Sequence, residues 1–185
     1  AHPRVKPHKR YRLTAAGLGL PEPEAVPPYA AGDVIQHWPT GLTYAWGVGF
    51  NLADSDLWLG DIGAGGGTDL AYRFLTDGTN TGDTFDISWA GVFAGDMTYN
   101  PNTGMLWVMD VGGDNCIHEV NPNTRLVTGN TICPAWTVSQ RGLAYDPTTD
   151  TFFAGGWNDL MIYRFTTDGA IIAQVNTGLS IAGLA

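Results

Sequence analysis

Three acidic, glycine-rich runs hold most of the residues that could do chemistry: Asp61-Ile62-Gly63-Ala64-Gly65-Gly66-Gly67-Thr68-Asp69, Asp110-Val111-Gly112-Gly113-Asp114-Asn115 and Gly155-Gly156-Trp157-Asn158-Asp159. Asp, Asn and backbone carbonyls are the oxygen donors that Ca²⁺ takes, and Asp110 with Asp114 are the best-placed pair. None of the runs has the spacing of an EF-hand or of the nonapeptide Ca²⁺ repeat. The same composition equally serves sharp turns that need positive φ, so both readings stand at this point, and no other cofactor is expected. The Gly63–Gly67 run follows a strand, opens no helix and has no Lys, which excludes a nucleotide loop.

The other reactive residues are few. Cys116 and Cys133 flank Ile117–Val120, the turn Asn121-Pro122-Asn123-Thr124, and Arg125–Ile132. That is one hairpin, and a disulfide across its open end is expected, the alternative being two buried thiols. A bridge implies an oxidising compartment, so secretion or the cell surface is expected. Of the four His, His2 and His8 lie near the N-terminus, His37 follows soon after, and His118 sits on an outer strand. No G-x-S-x-G or H-E-x-x-H motif occurs and no carboxylate pair falls in a plausible cleft, so no enzyme is expected. Trp58 and Trp107 read as core. Trp46, Trp89, Trp136 and Trp157 fall near strand ends or loops, where a carbohydrate or peptide surface stays open.

These runs are positioned by a repeat. Gly47-Val48-Gly49-Phe50, Asp96-Met97-Thr98-Tyr99, Gly142-Leu143-Ala144-Tyr145 and Gly183-Leu184-Ala185 align at spacings of 49, 46 and 41 residues. Each of the first three precedes a polar turn led by Asn51, Asn100-Pro101 or Asp146-Pro147, then an apolar run with an aromatic at a fixed place: Trp58, Trp107, Phe153. Asn or Asp ahead of such turns bonds to nearby backbone, and Pro presets φ. The runs read as four strands per unit, at about 95–100, 105–110, 116–120 and 125–132 in the middle unit and 141–146, 151–155, 160–166 and 170–176 in the third. Four antiparallel strands every 40–49 residues is the signature of a propeller blade. The predicted fold is all-β, with three complete four-stranded blades at about 43–88, 89–132 and 137–176.

Gly32-Asp33-Val34-Ile35-Gln36-His37-Trp38-Pro39-Thr40-Gly41-Leu42 parallels Gly169–Leu179, the outer strand of the third unit. An orphan outer strand is therefore expected over 32–38, and the start of a fourth blade over 180–185. Three blades cannot close a ring. The chain is expected to be a piece of a longer protein or to pair with other copies, the former ahead because unpaired edge strands are costly. Val34, Ile35 and Leu184 are the candidate interface residues on these loose ends.

Residues 1–31 read as an arm or linker. Residues 1–12 hold five of the nine cations and no acid, while the remainder has four Arg, no Lys and all 18 acids. So acidic a body is repelled by phosphate, which excludes nucleic acid as its partner. Pro21, Pro23, Pro27 and Pro28 favour polyproline II. Leu18, Leu20, Val26 and Tyr29 are the arm's candidate contact residues on another subunit or domain. No apolar run is long enough to form a membrane-spanning helix.

The phrases Gly91-Val92-Phe93-Ala94-Gly95-Asp96-Met97-Thr98-Tyr99, Val111–His118 and Ser139-Gln140-Arg141-Gly142-Leu143-Ala144-Tyr145-Asp146-Pro147 resemble the propeller-like C-terminal regions of large secreted bacterial proteases of the subtilisin type, over about residues 32–185. In that family catalysis belongs to a separate domain, and no catalytic residue carries over. The resemblance implies a secreted accessory or interaction module. The expected function is a non-enzymatic secreted structural or interaction module. It would join other copies, as a filament by strand addition, or the remainder of a larger chain. The alternative is a substrate-targeting region of an extracellular hydrolase, and a Ca²⁺-binding, lectin-like propeller comes third.

Overall fold

The computed structural model describes residues 33–136 and 138–185. The chain divides into two units, residues 1–37 and 38–185. In the first unit the described residues, 33–37, carry no strand, and Val34 and Ile35 are exposed. The arm, with Leu18, Leu20, Val26 and Tyr29, lies outside the described residues.

Among the described residues the second unit is all-β, with one short 3-10 turn at Gly63–Gly65. Its twelve strands form three four-stranded antiparallel sheets, each in simple sequence order. The first sheet is β1 (Ala45–Asn51), β2 (Asp56–Asp61), β3 (Leu70–Leu75) and β4 (Asn80–Asp86). The second is β5 (Phe93–Asn100), β6 (Met105–Val111), β7 (Ile117–Asn121) and β8 (Leu126–Ile132). The third is β9 (Gln140–Asp146), β10 (Thr151–Gly156), β11 (Met161–Thr166) and β12 (Ile171–Asn176). Strands β1, β5 and β9 lie side by side as the inner strands, the arrangement of propeller blades.

The first hairpin of every sheet is closed by the same device. Ala53 N–H donates to Asn51 Oδ1 at 3.1 Å, Asn102 N–H to Asn100 Oδ1 at 2.9 Å, and Thr148 N–H to Asp146 Oδ1 at 2.9 Å. These Asx turns return the chain within five residues and set the register of the inner pair.

Two apolar clusters hold the sheets together. Trp58, Phe85 and Ile87 of the first sheet and its exit pack against Met97, Leu106 and Val108 of the second. Trp107, Met109 and Ile117 then pack against Leu143, Phe152 and Phe165 of the third. Successive β6 residues thus alternate between the two clusters, and almost the whole strand is buried. Trp58 and Trp107 are core, as their spacing predicts. The outer sheets have only one such face. In β1, Gly49 and Asn51 are buried while Val48 and Phe50 point out, 49% and 44% exposed.

Two expected strands differ from observation. Residues 33–38 of the expected strand over 32–38 carry no strand, and neither does 180–185. Each sheet is already complete at four strands, and an extended segment with no ladder partner is not a strand.

Candidate functional site at the loop end of the sheets

Antiparallel pairing brings three chain features to one end of the sheets. Ala45 opens β1 opposite Asp61, Phe93 opens β5 opposite Val111, and Gln140 opens β9 opposite Gly156. The starts of the inner strands and the three glycine-rich loops therefore share that end.

Each inner strand carries a bulge near its start, between Trp46 and Val48, between Ala94 and Met97, and opposite Gly155/Gly156 in β9. Bulges re-aim backbone and side chains. Here they turn equivalent N–H groups onto one carboxylate. Asp96 Oδ1 accepts from Val48 (3.1 Å) and Met97 (3.0 Å), and Oδ2 from Leu143 (3.1 Å) and Leu184 (2.9 Å). These are the second residues of the four aligned repeat segments. Burial pushes the Asp96 carboxyl above its ordinary pKa, and the four N–H groups pull against that. The neighbouring backbones leave no room for side chains: a Cβ on Gly47 (φ +72°) would meet Gly95 O at 2.4 Å, and one on Gly142 would meet Gly183 C at 3.0 Å.

The loop acids have a related role. Asp61 Oδ1 accepts from Tyr44 N–H (2.7 Å) and Oδ2 from Thr68 N–H (3.1 Å). Asp110, at the matching end of β6, accepts from Gly91 N–H (2.8 Å), Gly113 N–H (3.2 Å) and Asp114 N–H (2.8 Å). Each ties the incoming linker to the outgoing loop. Asp114 Oδ1 in turn accepts from Cys116 N–H at 2.9 Å and meets His118 Nε2 at 3.1 Å. Burial raises the Asp114 pKa, but the Cys116 N–H and His118 outweigh it and hold the carboxyl below its ordinary value.

Asp110 and Asp114 thus come together as the sequence suggests, with His118 as a third member the sequence reading left on an outer strand. One donor atom from each of the three lies within 4.8 Å of the others. Both Asp110 oxygens and Asp114 Oδ1 accept main-chain N–H groups, so the cluster acts as a clasp on this loop. Ten-millimolar EDTA is accordingly expected to leave the melting temperature unchanged; a fall of several degrees, restored by Ca²⁺, contradicts this assignment.

Cys116 and Cys133 form a disulfide, which fastens this loop to the chain leaving β8. The four loop-end Trp all find partners. Trp89 lies 4.6 Å from the His118 ring and Trp136 5.4 Å from Phe165. Trp46 and Trp157 stand with Phe93 around the Arg141 guanidinium, at 5.8, 5.1 and 5.3 Å from ring centroid to Cζ.

The segment 182–185 runs between two open clefts. One, of about 590 Å³, is lined by Trp46, Val48, Leu59, Asp96 and Leu184. The other, of about 360 Å³, is lined by Ala144, Phe153, Ile162, Leu184 and Ala185.

Asp96 and Arg141 escaped the sequence reading as site residues. A signal for Asp96 was present, since the other three aligned segments carry Gly where it stands.

No protein-family model matches the chain, and no curated protein matches it in sequence. Among solved structures it is similar to a chain in a crystal structure of a nidogen–laminin complex, at 20% identity and a TM-score of 0.56, over 73% of this chain and 50% of that one. It is also similar to the hydrazine synthase of Kuenenia stuttgartiensis, at 14% identity and a TM-score of 0.55, over 84% of this chain and 42% of that one. Likeness at such identity is one of fold alone. The chain spans half or less of the length of these two solved chains.

Proposed function

We propose that the chain is a non-enzymatic, secreted structural or interaction module, built as a propeller of four repeats. It supplies three complete blades and the first residues of a fourth blade. One observation carries this reading: Asp96 collects an N–H from the same position of all four repeat segments, including Leu184, which has no sheet of its own.

The second sheet is covered on both faces, whereas the first and third each present one apolar face to the clefts beside Leu184. Soluble proteins rarely leave contiguous apolar patches of several hundred Å² uncovered. A fourth sheet beginning at Leu184 covers both, and it comes from the remainder of a longer chain or from another copy. In this reading the stretch 33–38, with Val34 and Ile35, completes a neighbouring copy's open blade by the strand addition that other peptides use on sheet edges. Head-to-tail addition between copies then gives a filament.

The Cys116–Cys133 bridge supports an oxidising, extracellular setting. The loop-end carboxylates Asp61 and Asp110 accept main-chain N–H groups, and His118 on β7 pairs with Asp114 and the Trp89 ring, which supports a binding rather than a catalytic role. One similar fold was solved as a complex between two proteins, and the module is proposed to act through a protein partner likewise.

Light scattering of the isolated chain across a concentration series tests this. Association that grows with concentration is expected, and Val48→Asp combined with Phe153→Asp should suppress it by charging both open faces. A wild-type chain that stays a monodisperse monomer overturns the pairing between copies.

A further inference from the structure

The described part of the chain carries four arginines in a strongly acidic body. Three are engaged by hydrogen-bond acceptors. Arg73 pairs with Asp54, Asp56 and Asp83, Arg125 with Asp83, and Arg164 donates to Thr151 Oγ1 at 3.1 Å. Arg141 differs: among the described residues it makes no hydrogen bond or ion pair, only its contacts with Trp46, Phe93 and Trp157. None of its nitrogens is among the buried atoms lacking partners, so its donors reach solvent.

We propose that Arg141, with Trp46, Phe93 and Trp157, is a binding site for a carboxylate. A guanidinium offers five N–H donors in a fork that matches a carboxylate bidentately. Ring faces within about 6 Å attract the cation and consume none of those donors. Aromatic neighbours also lower the local dielectric, which strengthens a charge-assisted bond made there. The site is placed for access. Arg141 lies at the bulge that opens β9, at the loop end, and Trp157 is 40% exposed on the β10–β11 loop. The surrounding acids repel polyanions, so the ligand carries a single carboxylate on a flat or apolar body that rests on Trp157. A sugar acid and the C-terminal carboxylate of a peptide both present that chemistry. The site uses residues of three sheets, and Trp46 also lines the cleft beside Leu184.

Tryptophan fluorescence and calorimetric titration of the purified chain test the proposal. The two probe pairs are glucuronate against glucose, and an N-acetylated aromatic dipeptide with a free C-terminus against its amide. At least one carboxylate probe is expected to bind tenfold or more tightly than its uncharged counterpart, and the tighter of the two identifies the source. Arg141→Gln should lose that preference, Arg141→Lys should keep only a minor part of it, and Trp157→Ala should weaken binding severalfold. Should Arg141→Gln fail to fold, Arg141→Lys and Trp157→Ala carry the test alone. Absence of binding by both carboxylates at millimolar concentration, equal binding of the uncharged probes, or undiminished binding by these variants overturns it.

Discussion

Asp96→Ala is expected to destabilise the chain by about 4 kcal/mol, the exceptional range for one substitution. The Met97 and Leu143 N–H groups donate in buried surroundings, and the Val48 and Leu184 groups in partly buried ones. A buried donor left unpaired costs about 1–3 kcal/mol, and one that reaches water costs less. Asp96→Asn keeps one acceptor oxygen but turns an amide NH₂ toward two donors, so about half of the loss is expected. Denaturant unfolding reads both, and a cost below about 1 kcal/mol for the alanine variant contradicts the assignment of Asp96 as the hub.

The pH dependence carries a sign. Burial, the largest influence, raises the Asp96 pKa above its ordinary value despite the four N–H groups. The folded chain therefore binds this proton more readily than the unfolded chain does. Its contribution is full below the unfolded pKa and is lost as pH rises through the folded one. The exposed turn acids Asp77, Asp146 and Asp168 are held low, Asp77 by Thr79, Asp146 by Thr149 and Thr148, and Asp168 by Thr166 and Ala170. Their contribution is present at neutral pH and is lost as pH falls through those depressed values. The penalty of Asp96→Asn should thus grow on acidification from neutrality towards the ordinary carboxylate range.

Removing the disulfide, as Cys116→Ala with Cys133→Ala, is expected to cost about 3 kcal/mol, the chain-entropy value for a loop of about this length. For a chain of this size that corresponds to a melting temperature lower by about 6–12 °C. The effect should concentrate on β8, an outer strand whose residues are exposed up to Ile132. Its amides should exchange much faster in the variant than those of β6. A melting temperature within about 2 °C of wild type contradicts the assignment of the bridge as the staple of that edge.

Much of this fold can be read from local signals. Asn51, Asn100 and Asp146 announce the inner hairpins because an Asx turn is a short-range device whose side chain bonds two residues on. Strand alternation then places Trp58 and Trp107 in the cores, since period-two burial is also local. What the sequence hides depends on long-range contacts. The bulges that aim Val48, Leu143 and Leu184 at Asp96 exist because inner strands meet around a common centre, and nothing within one repeat announces that meeting. His118 and Asp114 lie four residues apart, yet their pairing needs the turn that Asn115 makes at φ +59°. Arg141 draws its aromatic neighbours from β1, β5 and the β10–β11 loop, separations that residue type alone cannot reveal. Residues 33–38 have the pattern of an outer strand, but pattern alone does not make a strand without a ladder partner.

The most direct measurement is a structure of the chain in its assembled form or within its full reading frame, inspected over Val48 and Phe50 on one side and Phe153 and Ile162 on the other. The account predicts a four-stranded antiparallel sheet in that space, its inner strand beginning at Leu184 with the Leu184 N–H still on Asp96. Both faces open to solvent, or Leu184 detached from Asp96, would contradict it.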